Sequence, residues 1–135
     1  VRVTTSLLAD AATVAEGKLY IHGAGWDTIR SPAVPTTQPS MALVLVLELD
    51  LSETDPRDLE IMLVDADGTS LGVGVKGHLE IGDPSKLTRG LPIRQPIAVT
   101  FPAVTFQRAG KYRFVLSIDG DEVHSVELWV LVVPQ

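Results

Sequence analysis

Few residues in this chain have the types and spacing that chemistry needs. Asp65-Ala-Asp67-Gly68 opens like a calcium loop. With Asp65 as the first ligand, the sixth position of the loop is Ser70 and the twelfth is Lys76, where an EF-hand requires Gly and Glu. A looser cage using Asp65 and Asp67 needs a further carboxylate from another loop, such as Asp27 or Asp121. Otherwise the motif is a turn whose aspartates bond nearby backbone amides. His22, His78 and His124 fall on separate segments with no HxH or HExxH spacing, so the sequence holds no local zinc motif. No serine sits in a G-x-S-x-G elbow to be activated by one of them. Gly23-Ala-Gly25 begins a dinucleotide fingerprint, but Thr28 stands at the third glycine position. Pro32 and Pro35 then preclude the helix that would receive a pyrophosphate. These glycines read as a bulge or tight bend. Trp26-Asp27 beside them can line a ligand pocket at one end of the fold, or plug the core or a sheet edge with the indole.

The elements that must position these residues are strands. The chain has 135 residues, enough for one domain over 1–135 with one core. Hydrophobic residues make up 45% and aromatics only 5%, so that core is aliphatic. Seventeen carboxylates against eleven Lys plus Arg leave a net charge of −6, which gives no electrostatic basis for binding nucleic acid or an anionic membrane. The absence of cysteine excludes disulfides, thiolate chemistry and Cys-ligated metal. No apolar run approaches the roughly 18–20 residues that span a bilayer. The start of the chain shows no signal-peptide pattern, so the expected location is cytoplasmic.

Period-two alternation predicts about eight strands: Thr4–Ala9, Lys18–Gly23, Met41–Leu51, Leu59–Asp65, Leu71–Ile81, Ile97–Phe101, Tyr112–Asp119 and Val123–Val133. Leu19, Ile21, Leu43, Leu45, Leu47, Ile61, Leu63, Val73, Val75, Tyr112, Phe114, Leu116, Val126, Leu128 and Val130 are assigned to the core. Asp119-Gly120 marks a tight hairpin. Ser31–Ser40 and Gly82–Gln95, both rich in proline or glycine, read as loops. The single helical candidate is one turn over Asp10–Glu16, capped by Asp10 and stopped by Gly17. Short strands without crossover helices mean an antiparallel sandwich, with a closed barrel as the alternative. Ala109-Gly-Lys-Tyr112 resembles the tyrosine corner of immunoglobulin-like domains and favours the sandwich.

Leu8-Ala-Asp-Ala-Ala12, followed by Gly17-Lys-Leu-Tyr-Ile-His-Gly-Ala-Gly-Trp26, resembles the opening of a family of small bacterial proteins of unknown function. Met41–Leu49, the Leu63–Gly68 turn and the Gly110–Gly120 hairpin extend the resemblance over most of the chain. It implies a β-sandwich from a bacterium and brings no activity or functional residue with it.

The expected function is therefore a non-catalytic binding or protein-interaction module that needs no cofactor. A calcium- or small-ligand-binding sandwich using loop carboxylates is the alternative, and a hydrolytic enzyme is the least supported. In immunoglobulin-like order, Met41–Asp50, Leu59–Asp65, Tyr112–Asp119 and Val123–Val133 share one sheet. Its outer face then carries Val44, Val46, Met62, Val64, Val115, Trp129, Leu131 and Val133 where alternation should give polar residues. Such a patch marks an interaction surface, or is covered by Ser31–Ser40 or Pro84–Gln95 folding back. Both loops are poor in large apolar residues, so the reading favours association, with a homodimer centred on Trp129 as its expected form and another protein as the alternative partner.

Overall fold

Tight turns cut the chain into nine strands in the computed structural model, which describes residues 1–53, 55–80, 88 and 90–134. These are β1 (Arg2–Ala15), β2 (Lys18–Trp26), β3 (Thr28–Ser31), β4 (Thr36–Leu49), β5 (Arg57–Val64), β6 (Ser70–Leu79), β7 (Ile93–Phe106), β8 (Gly110–Ile118) and β9 (Asp121–Val132). A single 3-10 turn occupies Leu51–Glu53. The strands form two sheets, ordered β2-β1-β4-β7 and β3-β9-β8-β5-β6, around a shared apolar core. The fold is an all-β sandwich, with one strand more than expected. That strand, β3, has only four residues, too few for a periodic signal. It runs parallel to β9, while every other pairing is antiparallel. No helix among the described residues is long and apolar enough to cross a membrane.

Local signals and sheet pairing compete at two places. The expected helical turn at Asp10–Glu16 is the end of β1 instead. Glu16 and Gly17 adopt left-handed φ values of 53° and 72°, the form of a two-residue hairpin turn. The ladder it closes pairs Ala12 with Ile21 and Val14 with Leu19, which outweighs a single capped turn. The expected loops are also shorter: β4 begins at Thr36 and β7 at Ile93. Pro96 and Pro102 sit in β7, an edge strand, where a missing N–H interrupts no ladder. The rest of the expected Gly82–Gln95 loop lies largely outside the described residues, as does Ile81 at the end of the expected Leu71–Ile81 strand.

Both sheets feed the core. Leu43, Leu45 and Leu47 of β4 face Ile61, Leu63, Phe114, Leu116, Leu128 and Val130 of the other sheet, all buried as expected. Phe101 stacks on Phe114 at 5.0 Å between ring centroids, and Phe106 meets Tyr112 edge-on at 4.9 Å. The Tyr112 hydroxyl donates to the Arg108 carbonyl at 2.7 Å, the bond that a tyrosine corner makes. Val73 and Val126 are only partly buried against this core. Val75 is a correction: it is exposed, because β6 is an outermost strand and no further strand flanks it. Leu19 and Ile21 also fall outside the core cluster, in a hairpin that extends beyond the β1–β4 pairing.

The larger correction concerns sheet membership. β4 does not share a sheet with β5, β8 and β9. Val44 and Val46 therefore do not belong to the outer surface that carries Met62, Val64, Val115, Trp129 and Leu131. Val44 is 0% exposed, as is its neighbour Ala42, although both alternate with the core-facing leucines. The four-stranded sheet is strongly curled, since β2 comes within 8 Å of β7 between Cα atoms. In a flat sheet, three strand spacings would separate them by about 14 Å. The curl covers the second face of β4, so Met41–Leu45 is buried on both sides.

Candidate functional site

The two candidate surfaces are the outer face of the five-stranded sheet and a cleft at one end of the sandwich. On the outer face, cross-strand register sets the layout. Trp129 lies opposite Lys111 on one side and Thr28 on the other, Glu127 opposite Arg113, and Ser125 opposite Val115. Val115 in turn opposes Met62, and Arg113 opposes Val64. The apolar residues thus form two islands. Met62 and Val115, both half-buried, line a shallow groove over β5 and β8, flanked by Glu60 and Glu122. Val64 beside them is a correction: it is buried, at 6% exposure, rather than open. Trp129 and Leu131 form the second island on β9, 41% and 39% exposed.

A charged rung divides them. Lys111 Nζ bonds Glu127 at 2.8 Å and lies 5.9 Å from the Trp129 ring centroid, within reach of a cation–π contact. Arg113 bonds Glu122 at 2.6 Å. The continuous apolar sheet face expected from alternation is thus a charged face with two apolar islands. Val133 is half-buried, its amide bonded to the Ser31 carbonyl. Of the two expected covering loops, residues 84–87 and 89 lie outside the described residues, and the flanking parts of both are strands. Ser31 belongs to β3, and Thr36–Ser40 and Ile93–Gln95 belong to strands of the other sheet.

The cleft, about 640 Å³, opens between the β5–β6 turn and the β7–β8 turn. Antiparallel pairing of β5 with β8 brings the end of one beside the start of the other. That places Asp65 and Asp67 across from Arg108 and Lys111, over a floor that includes Leu71, Val73 and Tyr112. Asp65 holds its own turn together: Oδ1 accepts from the Asp67 and Thr69 amides, both at 2.9 Å, and its carbonyl accepts from the Gly68 amide. Two backbone irregularities shape the walls. Gly72, at φ 76°, lies in a stretch where β6 slips register against β5, and its amide is capped by the Ser70 hydroxyl. Ala103 is left-handed at φ 51°, unusual for a residue with a side chain.

The remaining candidates are dispersed. Trp26 is partly buried against the core, its indole N–H without a partner among the described residues, and neither it nor Asp27 lines the cleft. Asp27 accepts from the Thr28 hydroxyl, and its carbonyl accepts from the Trp129 amide. Gly23 and Gly25 both have positive φ, and a β1–β2 register shift occurs beside them, as a bulge requires. His22 is exposed, and His78 pairs with Asp58 at 3.0 Å on the surface. His124 Nε2 lies 2.8 Å from Ser6 Oγ, joining β9 to β1 across the sandwich. Among the described residues no carboxylate engages its second ring nitrogen. Among the described residues no three His, Cys, Asp or Glu side chains converge as a metal site needs. Asp65 and Asp67 stand out in the sequence, whereas Arg108 and its neighbour Gln107 do not. Their signal is indirect: Tyr112 fixes where the Arg108 turn must lie.

No curated protein matches the chain in sequence. Among solved structures, the chain is similar to the Pseudomonas fluorescens alkylpurine DNA glycosylase AlkC bound to DNA containing an abasic site analog. The likeness has a TM-score of 0.42 and 10% identity, and covers 93% of this chain and 30% of that one. A likeness at that level carries no argument about function, and the chain spans less than a third of that protein. The chain belongs to the Family of unknown function (DUF6941), whose profile matches residues 4–131.

Proposed function

From this family membership, which brings no activity with it, we propose that the protein is a non-catalytic interaction module working through the outer face of its five-stranded sheet. The observation that carries the reading is the exposure of Trp129 together with Leu131, two residues apart on one face of β9. A tryptophan and a leucine left side by side in water form the kind of anchor around which binding energy concentrates. The proposed partner is a second copy of the chain. Lys111 and Arg113 on β8 run beside Glu122 and Glu127 on β9, so the face carries adjacent rows of opposite charge. A two-fold axis sets the basic row of one protomer against the acidic row of the other, and adds burial of both Trp129 rings.

The strand order of the five-stranded sheet and the Tyr112 corner support an immunoglobulin-like assignment as part of the same proposal. Light scattering at micromolar concentration tests the partner. A dimer that Trp129→Lys converts to monomer is expected. A parent protein that is monomeric, with a hydrodynamic size unchanged by Trp129→Lys, removes the second copy as the partner.

A further inference from the structure

The end cleft shares only Lys111 with the proposed interface, and its lining selects a different kind of ligand. One lip carries Asp65 and Asp67, the other Arg108 and Lys111. Lys111 is engaged by Glu127 and Asp65 by its own turn. The Arg108 guanidinium and the Asp67 carboxylate have no ion-pair or hydrogen-bond partner among the described residues. Between them lies an apolar floor that includes Leu71, Val73 and Tyr112, with Gln107 and Thr105, whose hydroxyl bonds Thr37, also in the lining. A volume near 640 Å³ is the size of a small-molecule site.

The lining also excludes occupants. A free divalent cation meets the positive charge of Arg108 and Lys111, and one Asp65 oxygen is already committed to backbone amides. A simple anion meets Asp65 and Asp67. An added β-strand finds both bordering edges blunted: Pro102 has no N–H, Ala103 is left-handed, and the Gly72 amide is taken by Ser70. What fits is a short molecule with an apolar body, a carboxylate at one end and an ammonium at the other.

We propose that the cleft binds a short zwitterionic peptide with apolar side chains. Its terminal carboxylate pairs with Arg108, its terminal ammonium with Asp67 and the free oxygen of Asp65, and its side chains lie on Leu71, Val73 and Tyr112. The bidentate geometry of a guanidinium suits a carboxylate, and separated opposite charges set the orientation of the bound chain.

Isothermal titration of the full chain with trileucine bearing free termini tests this, beside N-acetyl-trileucine amide and the variants Arg108→Ala and Asp67→Asn. Both side chains are exposed and hold no element together, so the variants keep the fold, which circular dichroism verifies. Saturable binding of the free peptide is expected, weakened about tenfold by either variant and at least as much by blocking both termini. No binding at millimolar peptide overturns the proposal. So does binding that is equally tight for the blocked peptide, or unchanged in both variants. Trp129→Lys leaves this titration unaltered, which separates a failure here from a failure of the interface.

Discussion

Residues 41–47 of β4 and 128–132 of β9 both read as continuous apolar runs, and they end in opposite situations. Over Met41–Leu45 β4 is buried on both faces, because its sheet curls until β2 approaches β7. β9 buries Leu128 and Val130 on one face and leaves Trp129 and Leu131 open on the other. An apolar residue at an outward position therefore has two possible causes, a second covered face or a face left for a partner. Alternation cannot distinguish them, because both give the same run of side chains. Sheet curvature and strand order distinguish them, and both are set by contacts distant in sequence.

The strongest way to break this comparison is to charge both strands. Val44→Asp places a carboxylate where exposure is 0%, and is expected to cost about 4 kcal/mol or more, enough to unfold much of the population. Trp129→Lys is expected to change the stability of the monomer by less than about 1 kcal/mol, since the side chain is already 41% exposed. Chemical denaturation of the two variants at low protein concentration reads the difference. Comparable losses would erase the distinction between the strands.

Two further variants sharpen the frame that holds the surfaces. Gly23→Ala adds a Cβ that runs into the Asp10 carboxylate, at a backbone φ of 62°. A loss of about 1–2 kcal/mol is expected. Because the left-handed backbone contributes independently of the clash, an Asp10→Ala background should restore only part of it. Tyr112→Phe removes the bond to the Arg108 carbonyl and is expected to cost about 1 kcal/mol. It should also loosen the cleft wall, visible as faster amide exchange over Gln107–Lys111 while exchange in β4 is unaltered.

Much of this architecture is legible in the sequence, for physical reasons that differ by element. β5 and β8 alternate because one face is core and the other partly polar, and Asp119-Gly120 supplies the left-handed residues that the β8–β9 hairpin demands. Tyr112 marks its own corner through one local bond. The end of β1 is misread because Asp10 and Ala11–Val14 favour a capped turn locally, while the hairpin to β2 is set by pairing. Sheet membership of β4 is not legible, since strands of either sheet carry the same apolar code. Asp65 and Asp67 are visible as a motif, but the cleft that gives them partners appears only when β5 is laid beside β8.

The most direct test of the contrast between β4 and β9 exploits the absence of cysteine in the chain. Single-thiol variants Val44→Cys and Leu131→Cys, each retaining Trp129, are alkylated under native conditions over a range of protein concentrations. The thiol replacing Leu131 is expected to react readily in dilute protein and to slow as concentration rises and the face is covered by a second copy. The thiol replacing Val44 is expected to stay protected at every concentration until denaturant is added. Equal native rates for the two thiols, or a rate at position 131 that is independent of concentration through the micromolar range, would contradict a closed β4 and an open, self-associating β9 face.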